Sequence, residues 1–169
     1  MKHLILSLMI ASALAFSARA DETAKLTNVH LCCDKCVKGV DKAVSGVSNV
    51  KATCDKEAGT VELTGPDKES VQKAANALVA AGYFGESSDV KLDASSGAKD
   101  AKVEKMTING VHLCCAKCVK AVDKALKSVP GVTGNTATKG ADSFEVTGDF
   151  NALEVMNALQ KAGLTGKAE

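Results

Sequence analysis

The 169-residue sequence has no tryptophan, a single tyrosine and two prolines, and aromatic residues make up 3% of it. Arginine occurs once, at Arg19. Arginine side chains and stacked aromatic rings carry much of nucleic-acid recognition, so their scarcity argues against a nucleic-acid partner. A core almost free of aromatic side chains also buries modest apolar area. We therefore expect marginal stability unless a bound metal adds to it.

The sequence also lacks an apolar run long enough to cross a bilayer, which takes about 20 residues. The run from Leu4 to Phe16 follows the charged Lys2 and leads to an Ala-Arg-Ala sequence that ends at Ala20. This order is typical of a signal peptide at residues 1–20, cleaved after Ala20. No cysteine lies near the cleavage point to accept a lipid. We therefore expect an exported protein, periplasmic or secreted, without a membrane anchor.

Catalytic constellations are absent as well. No Ser-His-Asp set, phosphate-binding glycine loop or pair of catalytic carboxylates can be assembled convincingly. Of the three histidines, His3 lies in the predicted signal peptide, and His30 and His112 lie beside cysteines. Hydrolytic chemistry therefore lacks a general base, and we predict that the protein is not an enzyme.

The sequence is instead rich in clustered cysteine. Six of its seven cysteines fall in two short segments, HLCCDKC at His30–Cys36 and HLCCAKC at His112–Cys118. These segments belong to a longer repeat, because Val29–Ser45 and Val111–Lys127 are identical at 13 of 17 positions. We therefore divide the mature chain into a first unit (21–92), a linker (93–102) and a second unit (103–169).

Each unit has a pattern of short strands and amphipathic helices. In the first, a strand is expected at Lys25–Leu31, and Val37, Val40 and Val44 recur at helical spacing. A hairpin follows, then a second helix capped by Asp67, with Asp149 as its counterpart in the second unit. A last strand is expected within Tyr83–Leu92. This order predicts an α+β fold of two ferredoxin-like βαββαβ domains, each an antiparallel sheet with helices on one face. The second copy is expected to have a short or absent last strand.

The spacing of the cysteines indicates their chemistry. Cys33 and Cys36, like Cys115 and Cys118, form a Cys-x-x-Cys pair at the point where a strand leads into a helix, which brings two sulfurs within reach of one ion. Thiolates are soft ligands that favour copper(I), zinc(II) and their heavier relatives. The second cysteine of each pair lies in the first helical turn, where the helix dipole favours a thiolate.

At these residues the sequence resembles the heavy-metal-associated domain family of copper chaperones, P-type ATPase N-terminal modules and periplasmic mercury-binding proteins. The family's loop reads Met-x-Cys-x-x-Cys, and its two cysteines bind a soft metal. Here Leu31 and Leu113 stand at the Met position, and the family's Ala-Gly-Tyr sequence is matched at Tyr83 but has Leu164 in place of the tyrosine in the second unit. The resemblance implies metal ligands at the positions of its two cysteines: Cys33, Cys36, Cys115 and Cys118.

Two departures from the family loop leave the ligand set open. Cys32 and Cys114 precede the first ligand and are candidate additional ligands. His30 and His112 replace a usual glycine, and whether they bind metal is not decided by the sequence. Three thiols and an imidazole make a Cys₃His zinc set, whereas the resemblance favours a two- or three-thiolate copper(I) site. Cadmium(II) and mercury(II) are further candidates, and a transporter is a candidate recipient of the ion.

Three other interpretations compete with metal binding. An exported protein can use its cysteines for disulfides, and a Cys-x-x-Cys pair at a helix start is also the arrangement for thiol–disulfide exchange. A structural adhesion module is the third. Cys54, which has no counterpart in the second unit, is interpreted as a core strand residue. The sequence does not decide whether the two loops share one ion.

Overall fold

A computed structural model describes residues 21–93 and 95–169, and these residues form four helices and seven strands. The first unit contains β1 (Glu22–Leu26), α1 (Asp34–Val44), β2 (Lys51–Asp55), β3 (Thr60–Gly65) and α2 (Lys68–Ala80). The second unit contains β4 (Lys102–Asn109), α3 (Ala116–Leu126), β5 (Val132–Asn135), β6 (Ser143–Asn151), α4 (Ala152–Lys161) and β7 (Lys167–Ala168). The predicted signal peptide lies outside the described residues.

Each unit is built on an antiparallel sheet. The strand order is β1-β3-β2 in the first unit and β5-β6-β4-β7 in the second. β3 pairs with both β1 and β2, and β6 pairs with both β4 and β5. The predicted mixture of helices with antiparallel sheets is confirmed.

The last strand of the first unit differs from the prediction. The prediction of a strand within Tyr83–Leu92 is wrong, because Glu86 makes only an isolated bridge to Thr27. Tyr83 makes another isolated bridge, to Leu164 of the second unit. The backbone at Tyr83 therefore pairs with the other unit rather than with its own sheet. In the second unit, β7 is two residues long and pairs with the end of β4.

The first strand is also shorter than predicted. β1 ends at Leu26 rather than Leu31, and Asn28 has a φ of 57°, a left-handed conformation that turns the chain out of the strand. Val29 and Leu31 nevertheless remain buried, each 4% exposed. The segment that leads to the cysteines is therefore an irregular, well-packed loop rather than a strand.

The helices have the predicted apolar faces with two corrections. In α1 the buried residues are Cys36, Val40 and Val44, so Cys36 takes the inward position expected for Val37. α2 begins as predicted, because the Asp67 side chain accepts a hydrogen bond from the Ser70 N–H. The prediction of Asp149 as the cap of α4 is wrong. Asn151 is the cap, accepting from the N–H groups of the first turn.

The buried apolar side chains of both units form one continuous cluster. The linker is attached to the second unit, because the Ala168 N–H in β7 donates to the Ser96 carbonyl at 2.7 Å. Within the part of the chain that the structure describes, no helix combines the length and apolar character needed to cross a membrane.

Candidate metal centre

The two cysteine loops begin their helices in the same way. Cys33 and Cys115 are the N-cap residues of α1 and α3, with extended backbone. Cys36 and Cys118 lie in the first turns, and their N–H groups donate to the carbonyls of the two caps. Cys36 and Cys118 are fully buried, while the caps are partly exposed. Each Cys-x-x-Cys pair therefore lies at the positive end of a helix, as predicted.

The two loops face each other, and their sulfurs form a single group. We call this group the sulfur cluster, and it comprises Cys32, Cys33, Cys36, Cys114, Cys115 and Cys118. Within each loop, neighbouring Sγ atoms are 3.5–3.9 Å apart. Between the loops they are 3.3–3.8 Å apart. The distances across the two units are thus as short as those inside one loop.

All six predicted cysteine ligands are therefore brought together, including the two that depart from the family loop. The Sγ atom of Cys32 lies 3.3 Å from that of Cys115, and the Sγ atom of Cys114 lies 3.5 Å from that of Cys36. Cys54 is not part of the cluster. It lies in β2, half-buried, and burial raises the pKa of its thiol to about 11.

The backbone contact that holds the loops together involves two glycines, one at the end of each second helix. Gly163 accepts hydrogen bonds from the N–H groups of His30 and Phe84, and Gly82 accepts one from Thr165. Both glycines have positive φ angles, 76° at Gly163 and 84° at Gly82. A Cβ atom at Gly163 would lie 2.5 Å from the His30 nitrogen, and one at Gly82 would lie 2.5 Å from the His112 nitrogen. Only glycine allows this close approach of each unit to the other unit's loop.

His112 is held by a tyrosine of the first unit. The Tyr83 hydroxyl donates to the Cys36 carbonyl at 2.8 Å and lies 3.0 Å from His112 Nε2. Because the hydroxyl has one proton and gives it to Cys36, Nε2–H of His112 donates to the tyrosine oxygen. The two rings also stack, with centroids 4.5 Å apart.

His30 occupies the matching place without such a partner. Leu164 stands where the tyrosine would be, and Nε2 of His30 is buried with no hydrogen-bond partner among the described residues. Burial lowers the pKa of His30, which favours the neutral imidazole that binds metals. A ring nitrogen of His30 lies within 4.8 Å of the Sγ atoms of Cys32 and Cys118. The structure thus distinguishes two histidines that the sequence treats as equivalent.

The repeats also differ at a position that contacts Tyr83. Gly39 in α1 corresponds to Ala121 in α3. A Cβ atom at Gly39 would overlap the Tyr83 hydroxyl and lie 3.0 Å from Cε1 of His112. Gly39 therefore makes room for Tyr83, whereas Ala121 accompanies the shorter Leu164. Both differences are visible when the repeats are aligned, but nothing in the sequence shows that the two positions touch.

Replacing Gly39 by Ala is expected to destabilise the protein. In an ordinary helix interior this change stabilises by about 1 kcal/mol, but here the overlap with Tyr83 costs about 1–3 kcal/mol, and lost hydrogen bonds cost about 1 kcal/mol each. The Tyr83 hydroxyl takes part in two hydrogen bonds, so we expect a net loss of about 2–4 kcal/mol in the free energy of unfolding, measured by urea denaturation.

The second unit provides the control for this change. Ala121→Gly removes a methyl group at the matching position and is expected to cost about 1 kcal/mol. The double variant G39A/Y83L copies the second unit's pair, so it should lose less than the two single changes combined. A Gly39→Ala protein more stable than the unmodified one would contradict the proposed packing.

The thiols of the sulfur cluster differ in their readiness to ionise. A hydrogen bond from Cys118 above all stabilises the Cys36 thiolate and holds the pKa of Cys36 well below its ordinary value. The same hydrogen bond, with burial, raises the pKa of Cys118. Burial disfavours ionisation of Cys115, but the backbone N–H groups of Cys118 and Lys117 and the Cys32 thiol outweigh it and lower the pKa of Cys115 to about 6. The cluster therefore presents both thiolates and thiols, and metal binding displaces the remaining protons.

Two relatives share sequence with most of the chain, although no family model matches it. Copper-transporting ATPase 2 of Rhizobium meliloti is 34% identical over 140 residues, which are 78% of this chain and 14% of the relative. Copper-transporting ATPase 1 of the same organism is 33% identical over 139 residues, again 78% of this chain and 14% of the relative. The chain therefore spans a small part of the length of these proteins.

Two solved structures are similar in outline. The N-terminal soluble domains of Bacillus subtilis CopA are 15% identical, with 90% of this chain and 96% of that chain covered and a TM-score of 0.31. The first two RRM domains of the yeast poly(U)-binding protein Pub1 are 13% identical, with 88% and 98% covered and a TM-score of 0.28. TM-scores of this size do not establish a shared arrangement. The similarity to part of two copper-transporting ATPases, together with the clustered cysteines, supports metal binding and the heavy-metal-associated resemblance of the sequence.

Proposed function

We propose that this chain is an exported, non-enzymatic protein that binds a soft metal ion for scavenging, detoxification or delivery. In this proposal its two units are tandem ferredoxin-like domains of the heavy-metal-associated type. The observation that carries the proposal is the sulfur cluster, whose neighbouring Sγ atoms lie 3.3–3.9 Å apart. Gathered thiolates at two helix N-termini are a ligand set for a soft cation.

Copper(I) is the favoured ion, ahead of zinc(II), cadmium(II) and mercury(II). Both relatives are named as copper-transporting proteins, and an all-sulfur site suits copper(I) better than harder ions. A copper transporter is accordingly the favoured exchange partner. The cap cysteines are only partly buried, so an incoming thiolate can reach the bound ion from the side of Cys33 and Cys115.

The test is a copper(I) titration of the reduced protein against a chelator of known affinity. Replacing Cys33, Cys36, Cys115 and Cys118 together by Ser is expected to weaken uptake by roughly 100-fold or more, because changes that only touch a ligand's neighbours already cost about 10–100-fold. The matched control is Cys54→Ser, which removes a thiol outside the cluster and should leave uptake unchanged.

The same proteins separate metal binding from thiol–disulfide exchange. All seven cysteines are free thiols in the structure, which is the state that either activity starts from. A metal-binding protein should show little turnover in an insulin-reduction assay. Rapid insulin reduction, with copper uptake unaffected by the four Ser substitutions, would refute the proposal.

A further inference from the structure

We propose that the two loops form one polynuclear site, which binds four monovalent soft metal ions through thiolates supplied by both units. This inference rests on the proposed function and deepens it. A single cluster shared by both loops takes the place of two independent sites of two cysteines each. Its basis is the arrangement of the sulfurs across the contact between the units, and not the spacing within either loop.

The proposed arrangement uses four triangles of ligand atoms in the cluster, each with its members within 4.8 Å of one another. Three of the triangles consist of thiols alone, and two of these three combine both loops. The triangles are Cys32-Cys33-Cys115, Cys33-Cys36-Cys114, Cys114-Cys115-Cys118 and His30-Cys32-Cys118. Every sulfur except that of Cys36 belongs to two triangles, so each of these sulfurs is placed to bridge two ions.

The size of the triangles suits a metal–thiolate bond. In the triangle of Cys33, Cys36 and Cys114 the three sides are 3.9, 3.5 and 3.8 Å. An ion placed at its centre would lie about 2.2 Å from each sulfur, close to the zinc–sulfur bond of about 2.3 Å. The loops therefore need little movement to bind an ion in this triangle.

Charge favours monovalent over divalent ions. Six thiolates with four monovalent ions leave a cluster with two negative charges, whereas four divalent ions would leave two positive charges. The N-termini of α1 and α3 both point at the cluster, because Cys33 and Cys115 are their N-cap residues. Helix N-termini stabilise negative charge. The site should therefore prefer copper(I), or silver(I) as its chemical analogue, to four zinc ions.

His30 completes the fourth triangle. The Sγ atoms of Cys32 and Cys118 are 3.5 Å apart. The Sγ atom of Cys115 lies 3.3 and 3.8 Å from them, but in this arrangement it already belongs to two other triangles. Within residues 21–93 and 95–169, Nε2 of His30 is buried and has no hydrogen-bond partner, whereas Nε2 of His112 is hydrogen-bonded to Tyr83. A bound ion would supply the missing partner to His30. The two-unit site is thus asymmetric, with one histidine as a ligand and the other as a structural residue.

The experiment is native mass spectrometry of the reduced protein, produced without residues 1–20 and titrated anaerobically with copper(I). Because bridging sulfurs make each ion favour the binding of the next, we expect a four-copper species to appear while one- and two-copper species stay scarce. Sequential filling to two ions and no further would overturn the cluster and leave the proposed function intact. No uptake at all would overturn both.

Single substitutions test the assignment further. Cys33→Ser removes a sulfur common to two triangles and should abolish the four-copper species, and serine is a favourable N-cap, so the variant should fold. Cys54→Ser should retain four ions. His30→Ala should bind three ions and His112→Ala four. Four ions in His30→Ala would overturn the role of His30, and four ions in Cys33→Ser would overturn the cluster.

Discussion

Replacing Gly163 by Ala is expected to separate the two loops without removing a single thiol. The left-handed conformation costs about 1–2 kcal/mol for an alanine, and the overlap with the backbone at Asn28 and His30 adds about 1–3 kcal/mol. We expect the free energy of unfolding to fall by roughly 2–5 kcal/mol. The copper content should fall from four ions to at most two, since each loop would then act alone.

The control for this substitution is Gly140→Ala. Gly140 also has a positive φ, of 80°, but a Cβ atom there would have no atom of the described part of the chain within 4 Å. The Gly140→Ala change should therefore lower the free energy of unfolding only by the conformational strain, about 1–2 kcal/mol. The variant should retain four ions. Gly82→Ala repeats the test from the other unit. If Gly163→Ala and Gly140→Ala had the same stability and the same copper content, the contact between the units would not exist in solution.

Metal loading is expected to raise the melting temperature substantially. The buried side chains are mostly Val, Ala and Leu, with few aromatics, so the protein without metal should be only marginally stable. An ion at a thousand times its dissociation constant stabilises the folded state by about 4 kcal/mol. A protein of this size gains roughly 2–4 °C for each kcal/mol, which predicts a rise of roughly 8–16 °C.

Differential scanning calorimetry under anaerobic, reducing conditions measures this shift. A copper(I) chelator should reverse it. Cys54→Ser should show the full rise, and the variant with Ser at Cys33, Cys36, Cys115 and Cys118 should show little or none. Equal melting temperatures with and without copper(I) in the unmodified protein would show that the ion is not bound by the folded cluster.

The local structure of the site could be predicted from the sequence because it depends on short-range patterns. The spacing of Val40 and Val44 after the cysteines predicted the first helix, and Asp67 predicted the start of the second. The Cys-x-x-Cys spacing placed Cys36 and Cys118 in first helical turns. Each of these features is determined by residues a few positions apart.

The contact between the loops could not be predicted in the same way. It depends on residues far apart in the chain, such as Gly163 against His30 and Tyr83 against His112. The repeat indicated two equivalent sites, and the family resemblance assigned two ligands to each. Gly82 was visible only as part of the family's Ala-Gly-Tyr sequence, and no short-range pattern indicated that its conformation brings two backbones together.

The asymmetry between the two units has the same origin. Tyr83 and Leu164 differ in size and polarity, and Gly39 and Ala121 differ by one methyl group. Each difference alone is an unremarkable substitution between repeats. Only the contact between Gly39 and Tyr83 shows that they form a pair, which engages His112 and leaves His30 free to bind an ion.

X-ray absorption at the copper edge tests most directly whether the six thiols form one shared copper site. For protein loaded to its full capacity with copper(I), we predict about three sulfur or nitrogen neighbours per ion and a clear copper–copper scattering path, because neighbouring ions share sulfurs. Two sulfur neighbours per ion with no copper–copper path would mean that each loop binds its own ion, and would contradict the shared cluster.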